Sequence, residues 1–393
     1  MKNKGSFLKG ALVGALATCI IMITVGGGII HAITRKNEGV VDSQTLQKLT
    51  AIREMIDQKY LYGEEIDEAV LNEMVIKGYV AGLGDPYSVY YNQEETVSLY
   101  ESTSGEFTGI GVALSQDPET KLITLTTVYE DSPGEKAGLL DGDILYKVDG
   151  KDVSTEDLDT VVSKIRGEKG TKVELTVLRG SDLIEYTCQV TRDKIEVNTV
   201  FSEMKAEQIG YIRVSGFELV TSDQFEKALK EMQDQGMENL IIDLRSNPGG
   251  NMSTVCEMLD LILPEGTIVY TEDKYGKRDT WTSDAENYLD IPMVVLIDGN
   301  SASAAEIFAG AIQDYGVGTL VGTTTFGKGI VQNLYTMTDG TCLKITTSEY
   351  FTPNGRNIHG KGIEPDVVVE YRYDEKNPEA DNQLDAAMEI LKK

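Results

Sequence analysis

Histidine is almost missing from this 393-residue chain; it has two, His31 and His359. A serine nucleophile ordinarily takes its base from histidine, so that chemistry has few candidates here. His31 adjoins an apolar N-terminal run, and His359 sits in the polar loop Arg356-Asn357-Ile358-His359-Gly360-Lys361. Cysteine is scarce too: Cys19, Cys188, Cys256 and Cys342, with no Cys-x-x-Cys and no neighbouring histidine. That argues against a zinc site and a disulfide framework and predicts buried free thiols. Positive charge is also short, with 36 Lys and Arg against 64 Asp and Glu and a net charge of −28. So acidic a chain is repelled by phosphate backbones, which argues against nucleic-acid binding. No metal or organic cofactor is expected.

The length predicts two or three compact units. Lys2, Lys4 and Lys9 precede Ala11 to Ile30, a stretch without charge. At ~1.5 Å per residue it reaches about 30 Å, one hydrocarbon core. Residues 1–37 are therefore expected to be a cytoplasmic stub and a transmembrane signal-anchor, with the remainder extracytoplasmic. Arg35 and Lys36 on the far side weigh against that orientation. Leu16-Ala17-Thr18-Cys19 fits a lipoprotein cleavage site poorly, and no small-x-small site follows Ile30.

Residues 38–104 read as a helical region. Leu46, Leu49, Ile52, Ile56 and Tyr60 form one apolar stripe, and Gly84-Asp85-Pro86 stops the pattern. Such helices pack, and their place between an anchor and a globular part suits a homodimer contact. Residues 105–192 turn to short alternating strands with one helical stretch, Thr155 to Ile165. Residues 193–375 alternate strand, loop and helix. The apolar runs Asn239 to Leu244 and Met293 to Ile297 have the look of strands buried on both faces, as in an α/β domain. Residues 376–393 end in a short helix through Leu384, Met388 and Leu391.

Asn300-Ser301-Ala302-Ser303-Ala304-Ala305-Glu306 leaves a buried strand and opens a helix. Ser303 is placed to be a nucleophile there, with helix-start amides for an oxyanion. Ser303 with Glu306 three residues on also reads as an ordinary capping box, and on these residues alone capping has the stronger claim. A lysine base replaces histidine when the amine is partly desolvated. Lys328 lies in Thr325-Phe326-Gly327-Lys328-Gly329-Ile330-Val331-Gln332, between glycines and apolar groups, with Gln332 spaced to orient its amine. Gly322 to Gly329 also matches a phosphate-binding loop except at its last position, where Gly329 replaces Ser or Thr.

Together, Ser301 to Glu306, Gly327 to Gln332 and Arg245-Ser246-Asn247-Pro248-Gly249-Gly250 resemble the signatures of carboxyl-terminal processing, or tail-specific, proteases. Gly82 to Ser88 resembles their helical-region motif. The resemblance spans residues 45 to 372, and Ser303 and Lys328 stand 25 residues apart as it requires. It implies an α/β protease core with an inserted, mainly β PDZ domain. It implies a Ser303–Lys328 dyad supported by Gln332, and an oxyanion hole from the amides of Gly249 and Ala304. Asp131 to Leu139 and Asp141 to Ile144 resemble a PDZ domain, in which Ile110, Gly111 and Val112 would capture a peptide carboxylate. Arg166 is implied as a regulatory link between peptide binding and the active site, with an ordinary surface salt bridge as the other reading. The expected activity is a serine endopeptidase that reads apolar C-terminal tails of extracytoplasmic proteins; the alternative is an inactive PDZ scaffold.

Overall fold

The structure is a computed structural model and describes residues 41–284 and 286–392. The predicted span Ala11 to Ile30, Cys19 and His31 lie outside the described residues. Among the described residues no helix is long and apolar enough to cross a membrane. The chain divides into two compact units, Met1–Met74 and Val75–Lys393.

In the first unit, the Ser43–Lys59 helix starts where Asp42 accepts from the Thr45 amide at 2.6 Å. A 3₁₀ turn at Gly63–Glu65 breaks the helical run, as the glycine predicts. Arg53 bonds Asp57 at 2.9 Å one turn on and also pairs with Glu68. None of the Ser43–Lys59 side chains is buried, so the stripe through Leu46, Leu49 and Ile52 is left exposed.

The second unit holds three large sheets. The first is antiparallel in the order Val112–Gln116, Ile123–Val128, Ile144–Val148, Lys172–Arg179, Ile184–Thr191. Val161 and Ile165 of the Leu158–Ile165 helix close its core over Leu125, Leu145 and Val177. Asp157 caps that helix through the Thr160 amide, so it begins three residues later than its apolar pattern suggested. A two-stranded ladder pairs Glu106–Gly109 with Asp193–Glu196, bringing the two ends of the 105–192 segment together.

The second sheet is built from Val200–Lys205, Ile209–Val214, Asn239–Asp243, Met293–Ile297, Thr319–Gly322 and Val367–Val368, parallel after its first pair. Alternate residues of each strand serve opposite faces. Ile212, Leu240, Ile242 and Val295 pack on helices Thr221–Asp234, Met252–Asp260 and Ala304–Tyr315. Ile209, Ile241, Val294 and Leu296 pack on the C-terminal helix Asn382–Leu391.

The third sheet was not foreseen. The Cys342–Phe351 strand pairs antiparallel with Val89–Tyr91, Gly266–Asp273 and Ile330–Thr336, and Arg278–Ser283 joins at the edge. Residues 38–104 are therefore not all helical. Val89–Tyr91 pairs with residues 342–344, and the preceding loop, Gly84 to Ser88, brings the Tyr87 ring to Lys328.

Candidate active site

The Met293–Ile297 strand is buried at every position and ends in a turn that holds two serines. Ser301 is fully buried. Its Oγ donates to Leu244 O at 2.8 Å and accepts from Asp298 N at 2.9 Å, so it closes the turn. Ser303 opens onto a cleft and has φ 55° and ψ −114°. A capping serine has extended backbone with negative φ. A bulky non-glycine residue at this φ stores about 1–3 kcal/mol and needs its surroundings to hold it there. Ser303 does stand at the N-cap with Glu306 closing a capping box, but its φ is not that of an ordinary cap, and the sharp strand-to-helix turn is the kind that exposes a nucleophile.

Glu306 holds that turn. Its buried carboxylate accepts from Ser303 N at 2.9 Å, Lys328 N at 2.8 Å, Gly327 N at 2.7 Å and Thr325 Oγ1 at 2.6 Å. It therefore ties the serine turn to the lysine loop, well beyond a cap. Two amides of the Gly322 to Gly329 loop, Gly327 N and Lys328 N, are thus already taken by a carboxylate, which argues against the phosphate-loop reading. The glycines around Lys328 serve close approach: a Cβ on Gly329 would lie 2.6 Å from His359 N. His359 itself is exposed and does not line the cleft.

The cleft has a volume of about 670 Å³ and is lined by Ser303, Ala304, Lys328, Gln332, Lys344 and Tyr350 among others. The structure thus gathers the predicted nucleophile, base and glutamine into one space. Lys328 is half-buried, with Nζ 4.6 Å from the centre of the Tyr87 ring. Burial, then the charge of Lys344, push its pKa below the ordinary lysine range, while Asp85 and Glu306 push back. The bond expected from Gln332 to the lysine amine is not made in this arrangement. Gln332 faces Thr346 across the strand pair and donates Nε2 to its Oγ1 at 3.2 Å.

Of the two amides expected to form an oxyanion hole, Ala304 N lies at the helix start, on the cleft wall. Its neighbours are engaged: Ala305 N donates to Ala302 O, and Glu306 N to Ser303 O. Gly249 has φ 100°, and a Cβ there would meet Ser303 Cβ at 2.8 Å and Ala304 N at 2.9 Å. It is close enough for the role, but its N–H donates to Asn247 Oδ1 at 2.8 Å and so does not face the cleft. Asn247 is fully buried and anchored to Val214 O, which keeps that acceptor in place. Gly250 is the loop glycine that lines the cleft.

A second, smaller groove of about 210 Å³ runs between the Val112–Gln116 strand and the Leu158–Ile165 helix. Ile110, Gly111 and Val112 line it with Phe107, Leu114, Val162 and Ile165, and Arg166 stands at its end. The strand is an outer strand of its sheet, so its edge can accept another. Arg166 NH1 bonds Glu101 Oε2 at 2.8 Å, and both side chains are partly exposed.

Several neighbours went unread in the sequence. Asp85 looked like a helix stop and Glu306 like a cap, and each signal was real but incomplete. Tyr87, Lys344, Thr346 and Tyr350 carried none, because only strand pairing brings them here. Tyr350 is buried and donates Oη to Ser303 O at 3.1 Å.

Comparison with known proteins bears on most of the chain. Residues 208–369 match the family model described as peptidase family S41, residues 124–179 that of a PDZ domain, and residues 24–96 that of the activating protease CtpB N-terminal domain. A carboxyl-terminal-processing protease of Synechocystis sp. is 35% identical over 347 residues, covering 86% of this chain and 80% of that one. A probable CtpA-like serine protease of Staphylococcus epidermidis is 36% identical over 368 residues, covering 92% and 73%. A solved photosystem II D1 C-terminal processing protease is 29% identical, covers 84% of this chain and 89% of its own, and superposes with a TM-score of 0.47.

Proposed function

The chain belongs to the carboxyl-terminal processing serine proteases of peptidase family S41, with a PDZ domain, and on that premise we propose that it cuts substrate proteins with Ser303 as nucleophile and Lys328 as general base. The observation that carries this reading is that a strained, cleft-facing Ser303 and a partly desolvated Lys328 open into one space.

Neutral Lys328 takes the Ser303 Oγ proton as the oxygen attacks the substrate carbonyl carbon. The oxyanion forms beside Ala304 N, while the Gly249 amide, which the resemblance implies as a second donor, is held by Asn247 Oδ1. The lysine then returns the proton to the departing amine, leaving an acyl-enzyme on Ser303. Water, losing a proton to Lys328, attacks that ester and releases the acid. Gln332 lines the same cleft, and orienting the amine is the role the resemblance implies for it, by a bond not made in this arrangement.

The groove at Ile110 to Val112 is apolar and edged by a strand, which supports capture of an apolar C-terminal tail by strand addition. Residues 11–30 would hold the protein to the cell membrane with its catalytic part extracytoplasmic, and the exposed stripe on Ser43–Lys59 suits pairing with a second copy. To test the dyad, Ser303→Ala and Lys328→Ala are assayed separately on an unfolded protein with an apolar tail, and products are mapped by mass spectrometry. Both are expected to be inactive, and cleavage by either overturns the reading.

A further inference from the structure

The loop that ends the first helical region bonds a carboxylate to the Cys342–Phe351 strand, where its charge acts on Lys328 from outside the cleft lining. Asp85 Oδ2 accepts from Ser88 Oγ at 2.6 Å and from Thr346 Oγ1 at 2.7 Å, and Oδ1 accepts from Tyr87 N at 3.0 Å. Ser88 Oγ in turn accepts from Thr346 N at 3.1 Å, and Ser88 is buried. Thr346 Oγ1 is also the group that takes the Gln332 amide. A continuous chain of hydrogen bonds therefore runs from Asp85 through Thr346 to Gln332. The same loop places the Tyr87 ring against Lys328 Nζ.

The network is half-buried, with Ser88 its buried member, and a polar network whose members are all satisfied fixes its side chains in one arrangement. The bonds from Ser88 and Tyr87 N are local and would suit a helix stop, but the bond from Thr346, 261 residues away in sequence, is one that a mere stop does not need. We propose that Asp85 is a positioning residue for peptide cleavage: it holds Gln332 in place through Thr346 and sets a fixed negative charge against Lys328. The inference rests on the Ser303–Lys328–Gln332 reading above.

The charges facing Lys328 come from three elements. Asp85 lies on the loop before Val89–Tyr91, together with Tyr87; Glu306 is on the Ala304–Tyr315 helix, and Lys344 on the Cys342–Phe351 strand. Burial raises the Asp85 pKa, but hydrogen bonds from Ser88, Thr346 and Tyr87 N outweigh it, so the carboxyl titrates below its ordinary range. It is therefore charged wherever Lys328 can act as a base. Its charge favours the protonated amine, so removing it lowers the lysine pKa.

The test is the pH dependence of kcat and kcat/KM for the full chain on an unfolded protein substrate, with Asp85→Asn, Thr346→Val and Thr346→Ser, each checked for folding by circular dichroism. In Asp85→Asn, the limb of kcat/KM that rises with pH is expected to move to lower pH, with kcat reduced about tenfold. Thr346→Val is expected to lose about tenfold in kcat with that limb unmoved, and Thr346→Ser to restore it. A folded Asp85→Asn whose limb stays in place, or a Thr346→Val with undiminished kcat, overturns the proposal. If Asp85→Asn does not fold, the Thr346 pair still decides. Lys328→Ala run alongside separates the two levels: an inactive Lys328→Ala with an unaltered Asp85→Asn removes only this inference, whereas an active Lys328→Ala removes the dyad itself.

Discussion

Lys328 can accept a proton from Ser303 only when neutral, so its neighbours decide the pH at which the cleft becomes competent. Lys344 lies on the same wall, and its charge helps hold the Lys328 pKa down. Replacing Lys344 with Met removes a like charge, which makes the protonated amine less costly and raises that pKa. The rising limb of kcat/KM should then move to higher pH, opposite to Asp85→Asn, as read from a pH–rate profile. Gly249 is constrained differently. A Cβ there would meet Ala302 O at 2.6 Å and Ser303 Cβ at 2.8 Å, at a φ that side chains disfavour. Gly249→Ala should lower kcat about 100-fold by displacing the serine turn. It should also lower stability by about 1–3 kcal/mol in urea denaturation.

The Val112–Gln116 strand and the Leu158–Ile165 helix make a binding groove as a pair, because neither alone encloses an apolar pocket. Val162 is half-buried on the groove side of that helix. Val162→Asp sets a charge where an apolar tail would lie. It should weaken binding of an apolar C-terminal peptide at least about tenfold, roughly 1.4 kcal/mol, by fluorescence polarisation. Cleavage of a short peptide that engages only the cleft should be unchanged. Helices were legible in sequence wherever one face is apolar, as with Leu158–Ile165 and Asn382–Leu391, but the caps Asp157 and Asp381 that fix their starts were not read. The strands of the third sheet were not. Ile330–Thr336 and Arg278–Ser283 are half-exposed and carry no clean alternation, so nothing local marks their partners.

At the scale of the molecule, the central sheet is covered on one face by helices that connect its own strands and on the other by the C-terminal helix. Arg245 begins the loop that leads to Gly249, and its guanidinium bonds Asp381 at 2.9 and 2.7 Å and Gln383 at 3.0 Å. The C-terminal helix thus braces that loop while covering Ile241, Val294 and Leu296. Removing residues 381–393 should cost on the order of 4 kcal/mol, mainly the burial lost around Leu384, Met388 and Leu391. A lowered urea midpoint together with lowered kcat would show that support; an unchanged kcat would confine the helix to stability.

Composition and motif spacing determined much of this protein. Two histidines pointed toward a lysine base, three separated motifs identified the protease core, and Asp131 to Ile144 its PDZ insert. Apolar runs marked the buried strands, because burial of contiguous residues leaves its trace in local order. The tertiary structure alone decided between the two serines, through the backbone of Ser303 and the bonds that close Ser301. It also turned Glu306 from a cap into a clamp, set the Gly249 amide on Asn247, and placed Asp85 beside Lys328. The reason is physical. Periodicity records which residues face a core, whereas register between strands hundreds of residues apart is set by the packing of whole sheets.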